Sequence, residues 1–104
     1  MKPLDGLPKF IRVGNIKYEI IKVRPSENWG RQYETGWIEI GEDQGSGVRA
    51  LETVIHELTH AIFNAYVIRA GDDEERTVTT LAKGWAQVYH DNPALLRWMS
   101  RVAK

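Results

Sequence analysis

Val54-Ile55-His56-Glu57-Leu58-Thr59-His60-Ala61-Ile62-Phe63 is the stretch on which the reading of this chain turns. The run from Leu51 to Ile68 contains neither Pro nor Gly and reads as a helix. On a helix, His56 and His60 sit one turn apart on the same face, where two imidazoles can grip one metal ion. Glu57 lies next to the first His and can reach a water bound to that metal. An H-E-x-x-H pattern also occurs by chance on solvated helix faces. Here the apolar setting argues for partners, because burying two imidazoles and a carboxylate unpaired costs on the order of several kcal/mol. The chain has three His, and two of them fall in this motif, so the pattern predicts a zinc site.

At 104 residues the chain, residues 1–104, is expected to form a single domain with one modest core. Lys and Arg together number 14, as do Asp and Glu, so the formal net charge is zero. That balance speaks against a general electrostatic grip on nucleic acid or a membrane surface. Cys is absent, which excludes disulfides and thiolate zinc sites. No apolar run reaches the length of a membrane span, and Met1 to Asp5 lacks a signal-peptide core. A cytoplasmic location is expected.

Around the motif, the pattern is strands first and then helices, an α+β order. Residues 10–13 and 16–23 read as strands joined by a hairpin turn at Gly14-Asn15. Residues 25–28 read as a loop, 30–33 as a candidate short strand, 34–36 as a turn and 37–40 as a short strand. The expectation is a small antiparallel sheet. Ser46 is placed to cap the HExxH helix, which is expected from about residue 48 to 68 and to end at Gly71. A second helix, antiparallel to the first, is expected to start at a cap on Asp72 or Asp73. Its apolar positions are Val78, Leu81, Ala82, Trp85, Val88 and Tyr89. Asp91-Asn92-Pro93 reads as a break and restart, a capping residue followed by Pro at the first position of a short third helix over 93–102. Trp29, Trp37, Trp85 and Trp98 are expected to serve packing first.

A catalytic zinc site needs a third protein ligand beyond His56 and His60. The candidates are His90, Asp72, Asp73, Glu74 and Glu75. A metzincin-type third His is excluded, since Tyr66 stands where it would lie and Phe63 replaces the required Gly. At about 100° per residue, Glu74 falls roughly 40° to one side of Val78 and Glu75 roughly 60° to the other. Both border the buried face, and periodicity leaves both open.

The segment Glu75-Arg76-Thr77-Val78-Thr79-Thr80-Leu81-Ala82 resembles the second-helix segment of the ImmA/IrrE-like metallopeptidases. These are small HExxH enzymes with a downstream Glu, often borne by phages. In that family the Glu is followed three residues on by a small apolar residue, then by a large apolar residue and Ala. Glu75, Val78, Leu81 and Ala82 fit that register. The strand before the HExxH helix and the segment from Trp85 to Trp98 are similar too, so the likeness covers about residues 33 to 98. The chain departs from the family at Thr59, where a typical member carries Gly. The resemblance implies a zincin-like fold, Zn²⁺ held by His56, His60 and Glu75, and Glu57 as general base.

The expected activity is that of a zinc-dependent endopeptidase acting on a cytoplasmic protein, in the host cytoplasm if the chain is phage-encoded. Its peptide substrate is expected along the edge strand Trp37 to Ile40. Tyr33, Tyr66, Tyr89 and His90 are the candidate donors to a reaction oxyanion. Tyr66 lies off the ligand face, and Tyr89 and His90 are carried away along the second helix, so packing is the better account of those three. One alternative is a non-catalytic module of the same fold, with zinc as a staple and a protein partner as its business. Glu57 discriminates, because a purely structural site has no use for an acid/base. A DNA-dependent protease of the SprT-like kind is disfavoured by the absence of a basic cluster.

Overall fold

The computed structural model describes residues 2–24 and 36–104. Three strands, β1 (Phe10–Val13), β2 (Ile16–Val23) and β3 (Trp37–Gly41), precede three helices, α1 (Gly47–Ala65), α2 (Glu74–Asp91) and α3 (Pro93–Val102). The class is α+β, as the order of sequence patterns implies. The expected strand over 30–33, the loop before it, Trp29 and Tyr33 lie outside the described residues.

The hairpin closes at Gly14-Asn15, with Val13 paired to Ile16. Gly14 takes φ 61°, and Asn15 is not left-handed, which is the type II′ pattern with Gly at the first turn position. Alternation sends Ile11, Val13, Tyr18, Ile20, Ile38 and Ile40 into the core under α1. The sheet order is β1-β2-β3, and β3 pairs parallel to β2, with Ile20 opposite Ile38 and Lys22 opposite Ile40. The sheet is therefore mixed, where the sequence pattern implies an antiparallel one. Residues 24–36 separate the two strands, and a parallel pair needs a connection of about that length.

The free edge of β1 is closed by side-chain amides. Asn92 Oδ1 accepts from the Arg12 N–H at 2.8 Å, and its Nδ2 donates to Arg12 O and to Val88 O, each at 2.8 Å. Gln87 Oε1 accepts from the Gly14 N–H at 2.6 Å, and Gln87 Nε2 donates to Arg12 O at 2.9 Å. The sequence pattern implies a capping residue before Pro93 at the start of the third helix, and Asn92 holds that position without capping it. Its side chain makes no cap hydrogen bond to α3 and is spent on β1. At the other side of the core, Trp98 Nε1 donates to Pro3 O at 2.9 Å, pinning α3 to the N-terminal segment.

Ser46 caps α1 as expected, accepting from the Arg49 N–H at 3.2 Å. The helix stops at Ala65, short of the expected 68, in a Schellman arrangement. Ile68 N–H reaches Phe63 O at 2.9 Å and Val67 N–H reaches Asn64 O at 3.3 Å. Val67 takes the left-handed position with φ 55°, where Gly is usual, and Ile68 is buried beyond it. Asp73 caps α2, accepting from Arg76 N–H at 2.7 Å, while Asp72 turns back to the Arg69 N–H at 2.9 Å.

The packed line of α2 differs from the expected one. Gly84 and Val88 are buried, with Leu81 and Trp85 partly so, whereas Val78 is 56 % exposed. Gly84 is the cause. It lies so close to α1 that a Cβ there would collide with Ile62 Cγ2 and press on the Tyr66 ring. The helix rotates to present that bare stretch of backbone, and Val78 turns outward with it.

Two substitutions test these points by urea unfolding. Val67→Gly should stabilise the protein by roughly 0.5–1 kcal/mol, the left-handed strain removed less the added chain entropy. Gly84→Ala should destabilise it by about 1–3 kcal/mol despite the better helix propensity of Ala, because the helices must separate. A stabilised Gly84→Ala protein would show that the close approach is not tight.

Candidate metal centre

α1 sorts the motif by its helical phase. Its core side carries Ala50, Val54, Leu58, Ala61 and Ile62, all buried. Glu57 lies at the margin of that side and is only 3 % exposed. His56 and His60 lie further round and are exposed. The desolvation argument from sequence therefore applies to Glu57 and not to the His pair. The two imidazoles stand edge to face, with ring centroids 4.8 Å apart and planes at 69°. They open on a cleft of about 340 Å³ lined, among the described residues, by His56, Thr59, His60 and Phe63. The Thr59 hydroxyl is turned away from it, donating to Ile55 O at 2.7 Å.

Glu75 is not brought to this pair. It is exposed on the first turn of α2 and accepts from Thr79 Oγ1 at 3.3 Å. α2 meets α1 at Gly84, against Ile62 and Tyr66. Glu75 is nine residues up the helix from that crossing, about 14 Å of rise at ~1.5 Å per residue. Among the described residues no group of three His, Cys, Asp or Glu gathers to hold a metal ion. Two imidazoles one turn apart, opening on a cleft beside a buried carboxylate, do suit the nitrogen half of a zinc site. The third donor is not among the described side chains gathered there.

The oxyanion candidates within the described residues are engaged elsewhere. Tyr66 Oη donates to Gln87 Oε1 at 3.1 Å. Tyr89 stacks on Trp85 with centroids 5.6 Å apart. His90 Nδ1 lies 2.8 Å from Asp91 Oδ1, on a side chain 88 % exposed. The Asp91 carboxyl is held below its ordinary range, first by that His90 hydrogen bond and then by the one from Gln87.

Sequence reasoning missed Tyr18 and Asn64. Asn64 Nδ2 donates to Tyr18 Oη at 3.1 Å, joining the last turn of α1 to β2. Burial pushes the Tyr18 phenol above its ordinary pKa, only partly offset by that hydrogen bond. The available signal was spacing: Asn64 lies four residues beyond His60 and seven beyond Glu57, one face of a helix.

The chain matches no family model, no curated protein and no solved structure. No helix among the described residues is long and apolar enough to cross a membrane.

Tyr18 gives a pH-dependence. Its folded pKa is raised, so an unfolded chain releases that proton first, at about pH 10. The associated stability is fully present below that pH and is lost as pH rises through the folded value. Urea midpoints measured from pH 8 to 11 should fall more steeply above pH 10 in the wild type than in Tyr18→Phe. Parallel curves would show that the phenol stays accessible to hydroxide.

Proposed function

We propose that this chain is a zinc-dependent endopeptidase of the ImmA/IrrE-like kind, with His56 and His60 on the metal and Glu57 as general base. One observation carries the reading: a carboxylate kept inside the fold beside two imidazoles that share one face of α1 and open on a cleft. A structural staple needs the imidazoles but has no use for Glu57. Zinc, when bound, supplies an electrophile for the scissile carbonyl and makes water a better nucleophile at neutral pH. Glu57 accepts the water's proton at its carboxylate and passes it to the leaving amine. Glu57 is buried and adjoins His56 in the chain, which supports a fixed base close to the first imidazole. β3 ends the described sheet next to α1, so an extended peptide added along Trp37 to Ile40 is the proposed substrate pose. The proposed setting is the cytoplasm.

The experiment is elemental analysis of the purified protein, then cleavage of fluorescein-labelled casein with and without a chelator. One Zn²⁺ per chain is expected. Glu57→Gln should retain zinc and fold while cleavage drops by about 10²–10⁴-fold, the usual contribution of a positioned acid/base. His60→Ala should lose the metal. Wild-type cleavage by Glu57→Gln would remove Glu57 from the chemistry, and a protein that takes up no zinc would overturn the reading.

Glu75, the third ligand implied by the family resemblance, is separable by zinc titration. With α2 placed as described, Glu75→Ala and Glu74→Ala should both leave zinc affinity within about twofold of wild type, as surface charges at a helix start do. A loss of tenfold or more confined to Glu75→Ala would put Glu75 on the metal and require α2 to re-dock when zinc binds.

A further inference from the structure

The described wall of the cleft is one face of α1, carrying His56, Thr59, His60 and Phe63. At about 100° per residue, Phe63 lies roughly 20° from His56 and roughly 60° from His60 around the helix. It stands one turn beyond His60, about 4.5 Å of rise at ~1.5 Å per residue. The imidazoles and the Phe63 side chain are thus neighbouring parts of one wall.

The two parts differ in chemistry. The Thr59 hydroxyl is committed to Ile55 O at 2.7 Å. Apart from the imidazoles, no side chain of the described wall then offers a hydrogen bond to a guest. Phe63 is half-buried, packed against the core and lining the cleft. Its backbone is fixed as well: Phe63 O accepts from the Ile68 N–H at 2.9 Å in the turn that ends α1, and Ile68 is buried beyond that turn. A charged or amide side chain laid against Phe63 would leave water without gaining a partner there, whereas an apolar one gains by burial. The cleft volume of about 340 Å³ falls within the ~300–1,000 Å³ of small-molecule sites, which is room for a large side chain and adjoining backbone.

We infer that Phe63 is a specificity-determining residue, and that the cleft takes a large apolar side chain, Leu, Met or Phe, from a residue flanking the scissile bond. The inference rests on the endopeptidase reading above and adds a substrate class to it. An extended peptide advances about 3.3 Å per residue, so a side chain against Phe63 belongs about one residue from a carbonyl held at the imidazoles. The polar part of the wall then serves the reacting bond, and the apolar part chooses which bond that is.

The test uses the full chain, loaded with zinc, in three forms: wild type, Phe63→Leu and Phe63→Ala. Each is incubated with a pool of synthetic decapeptides of randomised sequence, and the cut positions and their rates are read by mass spectrometry. In the wild type, cuts with Leu, Met or Phe at one fixed flanking position should exceed cuts with Asp, Asn or Lys there by about tenfold or more, the discrimination an apolar pocket gives. Phe63→Leu should keep that bias within about threefold, and Phe63→Ala should bring it close to parity. The bias is a ratio within one pool, so loss of folded protein lowers every rate alike and leaves the ratio unchanged. Cutting with no apolar bias at either flanking position, or a wild-type bias in Phe63→Ala, overturns the role of Phe63 and leaves the endopeptidase reading standing. A wild type that cuts no peptide in the pool overturns both. If Phe63→Ala does not fold, Phe63→Gln, closer in bulk to Phe, takes its place: a lost bias supports the role, and a retained one overturns it.

Discussion

The amide of Asn92 holds the sheet to the helices. It is a buried polar group, and it is fully engaged: one oxygen on the Arg12 N–H, one nitrogen on Arg12 O and Val88 O. Arg12 thereby finds on its outer side the donor and acceptor that a neighbouring strand would have supplied. Gln87 extends the same arrangement to Gly14. An exposed strand edge invites pairing with other chains, and covering it is one of the standard remedies. Here the cover is the joint between α2 and α3. The sheet can be as small as three described strands because one of its edges is satisfied by helix residues. The same joint orients α2, and the bare backbone at Gly84 then lets α2 settle against Ile62 and Tyr66 of α1.

Most of this fold is legible in the sequence where local rules operate. The hairpin at Gly14-Asn15, the β-branched run of β2, the Ser46 cap and the Asp73 cap follow from turn and capping chemistry. The errors fall where a distant residue decides. The parallel pairing of β3 with β2 is a matter of strand direction, which no alternation pattern encodes. The face that α2 buries is set by a missing side chain at position 84, and a hydrophobic pattern cannot register an absence. The sequence carries α1 on to 68, because Val67 looks like an interior helix residue. Its left-handed backbone is imposed by burial of Ile68 after the turn.

The candidate site divides in the same way. His56, Glu57 and His60 come from one helix, so their spacing alone predicts that the imidazoles share a face and that the carboxylate lies about 100° away. The structure adds the sorting by burial, with Glu57 inside and the imidazoles at the cleft. Glu75 had to come from another helix, and its placement depends on where α2 crosses α1. Periodicity within α2 holds no information about that crossing. In the sequence Tyr18 is one of a row of inward-facing strand residues, and nothing local marks its hydroxyl as different from the methyl groups on either side.

The hydrogen bond from Arg12 to Asn92 spans 80 residues of sequence. During synthesis the hairpin of β1 and β2 is complete long before Asn92 has been added. At 5–20 residues per second the delay is roughly 3.5–14 s. Hairpins form in about 1–10 μs, so whenever the hairpin forms during that interval its Arg12 edge has no helix to cover it. The molecule is thus most open to mispairing early in its own translation, and least so once its last two helices exist. Conditions that slow elongation over residues 24–92 would lengthen that exposure without altering the stability of the finished fold.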